Sequence, residues 1–256
     1  MGIKNKLKDY YINVCTQNLN IDKEDKILVV APHPDDETLG AGGLLALYDH
    51  CDVIVVTDGR MGNPEWNADK TARVREKELE EAMEAAGVKK VYRLGFHDSR
   101  LRGNERLSGA DIRKYDYIFL PGKYENHPDH TAVNKIFRHL AKSQNRYCPI
   151  YEYEIWTPLR NPTHYLDISK YVQKKKDMIS KYKCQLKHVN YYKILDLNSY
   201  RGMMYGCGYA EAFEQVLPFT EKLKRKTVIK MIQIYSTVCK SMKYLQVCLK
   251  KMKKLI

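Results

Sequence analysis

Short apolar runs alternate with longer polar segments along the first half of the chain. Four of these runs, rich in valine, isoleucine and aromatic residues, have the length and character of strands buried on both faces. They cover residues 27–31, 52–57, 91–96 and 116–121. Helices are predicted at 37–49, 67–86 and 129–142. Because strands that alternate with helices pair in parallel, the pattern predicts an α/β fold with a doubly wound, mostly parallel, Rossmann-like sheet.

The residues that follow extend this domain without a visible boundary. A period-two alternation predicts a further strand at 151–157, and residues 170–188 are predicted to be helical. The sequence shows neither an internal repeat nor a low-complexity linker. Residues 1–220 are therefore predicted to be a single domain.

Residues 221–256 have a different pattern. Apolar positions from Val228 onward recur every three or four residues with lysines between them, which predicts a long basic amphipathic helix. The segment contains eleven Lys and Arg and one acid, Glu221, so it carries +10 of the formal net charge of +13. The rest of the chain is nearly neutral, and no nucleic-acid partner is expected. Such a helix packs on its own domain, on another copy in a homo-oligomer, or on an anionic membrane surface, and the sequence leaves these alternatives open.

No feature of the sequence predicts export or membrane insertion. The first twenty residues lack an apolar core segment, and no stretch of about 18 uninterrupted apolar residues occurs. The seven cysteines are scattered and form no CxxC pair. We therefore expect a cytoplasmic protein with reduced thiols, and peripheral association with the inner face of the membrane through residues 221–256 stays open.

Polar residues follow each of the four predicted strands. The carboxyl ends of the strands in an open α/β sheet lie at one edge, so the loops after them are expected to converge there. These polar groups are His33–Asp36, Asp58–Arg60, His97–Asp98 and His127–His130. Consecutive acids repel one another unless a proton, a donor or a cation stabilises them. The sequence therefore predicts a ligand site at this edge, and a bound cation is its most direct explanation.

The spacing of the histidines indicates a metal site. His33 and Asp36 stand three residues apart across a proline turn, and His127 and His130 have the same spacing. An imidazole and a carboxylate from one loop, with an imidazole from the other, make a three-ligand site with an open position for water, which is typical of catalytic zinc. Zn²⁺ is the expected cofactor, and Fe²⁺ or another divalent transition metal suits the same mixed ligands.

The remaining residues of the two loops suggest roles in hydrolysis. Asp35 lies beside Asp36 and is free to act as the general base for a metal-activated water. His127, oriented by Asp129, is a candidate to stabilise the oxyanion if it is protonated. Read alone, the first loop could be a simple Asp/Pro turn, but two such loops after two buried strands favour the metal. His97–Asp98 could line the pocket, but its sequence favours a loop turn.

The two motifs resemble those of the PIG-L/LmbE family of zinc-dependent N-deacetylases. The likeness covers about residues 25 to 215, in order and at sensible spacing. It is carried by 31-APHPDDETLGAGG-43, 75-REKELEEAMEAAGV-88, 94-LGFHDSRL-101, 116-DYIFLPG-122, 127-HPDHTAV-133, 176-KDMISKYKCQ-185 and 209-YAEAF-213. The resemblance implies hydrolysis of the N-acetyl group of an N-acetylglucosamine-type sugar or glycoconjugate.

The resemblance also implies a role for each matching residue. His33, Asp36 and His130 would be the metal ligands and Asp35 the general base. His127, with Asp129 behind it, would be the oxyanion donor or general acid.

Three further residues are candidates for substrate binding. Arg75, in the segment similar to the family's Arg-x-x-Glu helix, is a candidate to bind substrate hydroxyls. The chain departs from the family at Glu125, where some members have tyrosine, and a pocket acid there would alter substrate preference. Glu125 and Asn126 are therefore also predicted to contact the substrate.

Three other functions are compatible with parts of the sequence. An amidase of the same fold that cleaves another amide, such as a sugar-thiol conjugate, would use the same ligands. A dinucleotide- or S-adenosylmethionine-binding protein is suggested by Gly40, Gly42 and Gly43, but the acids that precede them would repel a pyrophosphate. The third alternative is a non-catalytic protein that binds membranes or polyanions through residues 221–256.

Overall fold

The computed structural model describes residues 16–48, 50–107, 110–144 and 148–216. The predicted amphipathic helix at 221–256 and the predicted domain boundary at residue 220 lie outside these ranges. Within the described ranges, no helix combines the length and the apolar character needed to cross a membrane.

The described residues form one eight-stranded sheet in the order β1-β7-β8-β6-β5-β2-β3-β4. The strands are β1 (Gln17–Asn18), β2 (Ile27–Ala31), β3 (Asp52–Thr57), β4 (Lys90–Phe96), β5 (Tyr117–Pro121), β6 (Ile150–Tyr153), β7 (His164–Asp167) and β8 (Ala210–Val216). The helices are α1 (Asp36–Leu47), α2 (Ala68–Ala86), α3 (Pro128–Ser143), α4 (Val172–Ile179), α5 (Lys183–Leu186) and α6 (Ile194–Tyr205), with a 3₁₀ turn at Tyr191–Lys193. The predicted α/β fold, a single sheet with flanking helices, is confirmed.

The later elements differ from the prediction in detail. The strand predicted at 151–157 is the shorter β6, and the helix predicted at 170–188 is divided into α4 and α5. The sheet is mixed, because β8 pairs antiparallel with both β6 and β7. Sequence patterns missed β1, β7 and β8, since the first two are very short and β8 carries a buried glutamate, Glu211, in place of an apolar residue.

The central position of β2 in the sheet explains why its sequence is apolar throughout. Its side chains alternate between two hydrophobic cores, so both faces are buried. Ile27, Val29 and Ala31 enter the core shared with α1 and α2, whereas Leu28 and Val30 enter the core shared with α3. A strand covered by helices on both faces has no position for a polar residue until it ends.

The order of the strands creates a crevice beside β2. This strand pairs in parallel with β3 on one side and with β5 on the other, so the chain winds in opposite directions from it. In open α/β sheets, ligands bind at such a switch point, outside the carboxyl ends of the strands. The two histidine-containing loops follow β2 and β5 and therefore lie on either side of this crevice.

Helix α1 is broken by a bend, and a buried ion pair spans the break. Ala41 has non-helical angles, with φ −137° and ψ 22°. The ammonium of Lys175 donates to the carbonyl of Leu39 at 2.9 Å and to Glu211 Oε1 at 2.7 Å. Glu211 in turn accepts the backbone N–H groups of Gly43 and Leu44, at 2.6 and 2.9 Å. The pair thus satisfies a carbonyl before the bend and N–H groups after it.

The glycines of α1 allow close packing. A Cβ atom at Gly40 would lie 2.2 Å from the ring of Tyr153, and one at Gly43 would lie 2.3 Å from Ile168. Real Cβ atoms do not approach neighbours so closely. These two glycines therefore serve helix packing, which accounts for them without a bound dinucleotide.

Candidate metal centre and catalytic site

The loop after β2 presents two of the predicted ligands to the crevice. His33 Nδ1 lies 3.0 Å from Asp36 Oδ2, and the backbone N–H of His33 donates to the same oxygen at 2.9 Å. From the first turn of α3, the helix that follows β5, His130 Nε2 lies 3.1 Å from Asp36 Oδ2. Ligand atoms around a tetrahedral zinc ion lie about 3.3 Å apart at the usual bond lengths. One oxygen of Asp36 thus contacts a ring nitrogen of each of the two predicted histidine ligands.

The other nitrogen of His33 faces two more carboxylates. His33 Nε2 lies 3.1 Å from Asp98 Oδ1 and 3.2 Å from Asp129 Oδ2. A histidine that binds a metal through one ring nitrogen usually gives its other N–H to a carboxylate, which fixes the orientation of the ring. Asp98 was interpreted from sequence as part of a loop turn, but it is buried at the site, and its other oxygen accepts the N–H of Met61 at 3.1 Å.

His130 is fully buried, and its hydrogen bonding is incomplete. Among the described residues, neither of its ring nitrogens makes a well-aligned hydrogen bond, although Asp36 is within ion-pair distance. Buried polar atoms are nearly always satisfied, so such an atom needs an explanation. A metal ion bound at Nε2 would supply it. On the far side, Glu125 Oε2 lies 3.9 Å from His130 Nδ1.

Two overlapping groups of side chains could hold a metal ion. The ring nitrogens of His33, His127 and His130 lie within 4.8 Å of one another, and one donor atom each of His33, Asp98 and Asp129 meets the same limit. His33 belongs to both groups. Asp36 belongs to neither group, but its Oδ2 contacts both His33 and His130. The nitrogen and oxygen donors gathered here are of the kind that a divalent transition metal binds, and the set of His33, Asp36 and His130 stays a prediction.

The charges of the cluster are strongly coupled. Burial opposes a charge on His33, but contacts with Asp129, Asp36 and Asp98 outweigh it and raise the pKa of this imidazole well above its usual value. Burial also opposes a charge on Asp36, whereas His130 and His33 lower the pKa of that carboxyl well below its usual range. Three carboxylates on the two sides of one imidazole give this part of the molecule a negative charge that a bound cation would offset.

His127 has a different environment from the other two histidines. It is half-buried, and its Nδ1 accepts a hydrogen bond from the backbone N–H of Asp129 at 3.2 Å. Burial, followed by the charges of His33 and His130, lowers the pKa of His127. A neutral ring that accepts at Nδ1 carries its proton on Nε2, so His127 is a donor without being protonated. This differs from the sequence interpretation, which required a protonated ring.

The carboxylate of Asp129 contacts His33 and loop backbone. Besides lying near His33, it accepts the N–H of Ser99 at 2.7 Å and that of Leu101 at 3.3 Å. Asp129 therefore holds His127 through its backbone N–H, which corrects the prediction that its side chain is the orienting group. Ser99 has φ 63°, a strained value for a non-glycine residue that is common at functional sites.

Asp35 is buried and tightly held. Its φ of 125° is strained, and its backbone N–H donates to Glu37 Oε2 at 3.0 Å. Its Oδ2 accepts hydrogen bonds from Arg75 at 2.7 Å and from Tyr191 at 2.6 Å. Burial raises the pKa of Asp35 to about 6, although the Arg75 guanidinium opposes this effect. Both hydrogen bonds from described residues fall on Oδ2, so Oδ1 is the oxygen left to accept a proton.

Arg75 lies beneath the catalytic loop. Besides its contact with Asp35, it donates to the carbonyl oxygens of Gly59 at 2.9 Å and Pro34 at 2.6 Å. Its side chain is 4% exposed, so it fixes the loop, and binding to substrate hydroxyls stays an untested prediction. Tyr191, which the sequence analysis missed, contacts the same carboxylate from 156 positions further along the chain.

The two other predicted substrate residues are placed differently from each other. Asn126 is exposed on the loop after β5, and nothing in the structure tests its role. Glu125 is buried, and its two oxygens accept the backbone N–H groups of Ile155 at 2.8 Å and Trp156 at 3.2 Å. Glu125 therefore connects the loop after β6 to the segment that leads from β5 into α3, the helix that contains His130.

Part of the chain is similar in sequence to a known family and to characterised deacetylase sequences. Residues 28–141 match the family described as "PIG-L: GlcNAc-PI de-N-acetylase". The chain is 35% identical over 129 residues to a protein named probable N-acetyl-alpha-D-glucosaminyl L-malate deacetylase 2 from Bacillus cereus, covering 44% of this chain and 59% of the relative. It is 34% identical over 119 residues to a diacetylchitobiose deacetylase from Thermococcus kodakarensis, covering 41% and 45%. The matched part thus spans about half the length of these relatives.

The fold also resembles a solved structure. The N,N'-diacetylchitobiose deacetylase of Pyrococcus horikoshii superimposes with a TM-score of 0.61 at 22% identity, over 86% of this chain and 98% of that chain. At this identity the likeness concerns the fold.

Proposed function

We propose that the chain, whose residues 28–141 match the PIG-L family, is a metal-dependent hydrolase that deacetylates an N-acetylglucosamine-type sugar or glycoconjugate. The observation that carries this proposal is the convergence of His33, Asp36 and His130 beside the buried carboxylate of Asp35. The names of the curated relatives, deacetylases of an N-acetylglucosaminyl malate and of diacetylchitobiose, support it.

In this proposal His33, Asp36 and His130 hold the metal, with Zn²⁺ as the expected ion and Fe²⁺ as an alternative. When bound, the metal supplies a Lewis acid for the acetyl carbonyl and lowers the pKa of water to roughly 7. Asp98 and Asp129 accept from His33 Nε2 and keep the ring oriented. On the far side of His130, the carboxylate of Glu125 lies 3.9 Å from Nδ1.

Asp35 acts as the general base. Its Oδ1 takes a proton from the water that attacks the acetyl carbonyl carbon. Arg75 and Tyr191 hold Oδ2, so the carboxylate cannot rotate away from the reacting atoms. As the C–N bond breaks, the same proton passes to the sugar nitrogen, so acetate and the free amine leave and the carboxylate is restored.

His127 stabilises the negative charge that develops on the carbonyl oxygen. Its Nδ1 is occupied by the N–H of Asp129, so Nε2–H is the available donor. The ring centroid of His127 lies 4.7 Å from that of His33 and 5.1 Å from that of His130, and this proximity supports the proposed role of His127. A fixed donor aimed at a developing oxyanion is an effective form of catalysis.

The remaining interpretations of the sequence stay predictions. An amidase acting on a different amide would use the same residues, so the substrate must decide between the two. A cytoplasmic location, a homo-oligomer and attachment to an anionic membrane are proposals without a structural test, and residues 221–256 lie outside the described ranges.

The proposal is tested by measuring acetate release from N-acetylglucosamine and its conjugates by the metal-loaded full chain. We expect Asp35→Asn to keep the metal and to lose turnover by about 10²- to 10⁴-fold, as is usual for a general base. Asp111→Asn, which alters an exposed aspartate paired with Arg113, is the matched control and should keep full activity. Turnover by Asp35→Asn equal to wild type would contradict the mechanism, and wild type inactive on every conjugate would contradict the function.

A further inference from the structure

A second acidic side chain, that of Glu37, is fully buried in the first turn of α1, directly after the predicted ligand Asp36. In the proposed mechanism Glu37 neither binds the metal nor transfers a proton. We infer, on the basis of the proposed function, that Glu37 is a positioning residue for the general base. It holds the backbone of Asp35 in a strained conformation that directs the Asp35 carboxylate away from the helix and leaves it available for catalysis.

Asp35 occupies the N-cap position of α1, but its side chain makes no capping hydrogen bond to the helix. An aspartate at this position normally has extended backbone angles, and its carboxylate accepts the N–H of the second or third helical residue. Here φ is 125° and ψ is −31°, and the backbone carbonyl of Asp35 accepts the N–H groups of Thr38 and Leu39 at 3.0 and 2.9 Å. The carboxylate contacts Arg75 and Tyr191 instead.

Glu37 stabilises this conformation through the backbone of Asp35. A φ of 125° is unfavourable for a residue other than glycine and persists where the surrounding structure holds it. Glu37 Oε2 accepts the N–H of Asp35 at 3.0 Å. The contact is similar to one half of a capping box, in which a glutamate of the first turn accepts the N–H of the N-cap residue. The Asp35 carboxylate, which would form the other half, is thereby used elsewhere.

The other oxygen of Glu37 is held by two hydroxyl groups. Oε1 accepts a hydrogen bond from Thr38 Oγ1 at 2.7 Å and another from the hydroxyl of Tyr182. Tyr182 lies 145 positions further along the chain, directly before α5, and is as fully buried as Glu37. Because donors contact both oxygens, the Glu37 carboxyl group has a fixed orientation, and so has the N–H of Asp35 that it accepts.

Loss of Glu37 should therefore misplace the base without removing the metal. Among the described residues, the hydrogen bonds of Glu37 go to Asp35, Thr38 and Tyr182, none of which is a predicted metal ligand. The rate of proton transfer depends steeply on the alignment of the reacting atoms, whereas binding of the substrate does not require the base. We expect kcat to fall while KM and the metal content stay near those of wild type.

The first test measures kcat, KM and metal content of the full chain with an N-acetylglucosamine conjugate that wild type deacetylates. Glu37→Met keeps the shape of the side chain but removes both acceptors, so it should lower kcat about 100-fold with KM within about twofold. Glu37→Gln keeps an acceptor for the Asp35 N–H, and its amide can donate to the Tyr182 hydroxyl, so kcat should recover to within about threefold of wild type. Glu84→Met, at an exposed position of α2, is the control and should keep kcat.

Equal kcat in Glu37→Met and wild type, or equal losses in Glu37→Met and Glu37→Gln, would overturn the positioning role. If Glu37→Met does not fold, Tyr182→Phe decides, because it removes one hydroxyl donor to Glu37 and keeps the ring. Its kcat should fall about 5-fold with unchanged KM, and an unaltered kcat would overturn the role.

The second test determines the conformation of Asp35 independently of activity, from crystal structures of wild type and Glu37→Met. In the variant we expect φ of Asp35 to return to the extended region and its carboxylate to accept the N–H of Thr38, as in an ordinary N-cap. Acetate release by wild type with an unchanged φ in the variant would reject the positioning role and keep the deacetylase. No acetate from any conjugate with a changed φ would reject the deacetylase and keep the control of Asp35 by Glu37.

Discussion

Two clusters of buried charged or polar side chains contact helix α1. In one cluster the polar groups are hydrogen-bonded within the protein, and in the other a histidine lacks such bonds to the described residues. At the bend of the helix, the Lys175 ammonium donates to three acceptors: Glu211, Asn198 and the carbonyl of Leu39. Glu211 also accepts two backbone N–H groups, so this cluster is satisfied from within the protein. At the start of the helix, the imidazole of His130 makes no well-aligned hydrogen bond to the described residues.

The difference separates a structural cluster from a ligand site. A buried ion pair whose members are fully hydrogen-bonded needs nothing further and fixes the backbone around it. A buried imidazole without a hydrogen bond has a lone pair that can bind a cation, and the carboxylates nearby favour the positive charge. Burial and charge alone do not distinguish a structural cluster from a ligand site. The two differ in whether every buried donor and acceptor has a hydrogen-bond partner.

The largest expected effect on stability comes from the structural cluster. Lys175→Met should lower the free energy of unfolding by about 3–5 kcal/mol, because it leaves Glu211 buried without its cation. Urea denaturation of the full chain measures this change. Lys174→Met, at the neighbouring position of α4, removes only a 3.4 Å contact to the carbonyl of Ala46 and should cost less than about 1 kcal/mol. Equal losses in both variants would show that the buried pair contributes nothing special.

A smaller effect is expected from the tyrosine that holds the carboxylate of Asp35. Tyr191→Phe removes the hydroxyl that donates to Asp35 Oδ2 and should lower kcat about 10-fold, since hydrogen bonds to charged groups contribute roughly 1.5–3 kcal/mol. Metal content should not change, because Tyr191 is not a ligand. Tyr48→Phe, which loses a 3.4 Å contact to the carbonyl of Ile21, is the control and should keep kcat. A Tyr191→Phe enzyme with unaltered kcat would remove Tyr191 from the mechanism.

The sequence predicted the parts of the site that depend on local pattern. Apolar runs located β2 to β5 within a residue, and the rule that parallel strands end at one edge brought their loops together. Both histidine motifs lie within these loops, so the proximity of His33, Asp36 and His130 could be foreseen. Asp98 lies in a third such loop, so the same rule also indicates that it lies near the site. Its turn-like local sequence gives no sign of this role.

Contacts between distant segments could not be predicted in this way. Tyr191 reaches Asp35 across 156 positions, and Lys175 reaches Glu211 across 36, and neither spacing has a periodic signature. Glu125 was predicted to bind substrate, but its carboxylate is buried and holds the loop after β6. A charged residue in a single sequence gives no sign of whether its partner will be a ligand or a backbone N–H from elsewhere in the fold.

The most direct test of the account is a calorimetric titration of the metal-free full chain with Zn²⁺. We expect one ion to bind per chain in wild type, and His130→Ala to weaken binding at least about 100-fold because a ligand is lost. His139→Ala, which changes an exposed histidine of the same helix, should bind as wild type does. Stoichiometric binding that survives in His130→Ala, or no binding in wild type, would contradict the claim that the unsatisfied imidazole marks a metal centre.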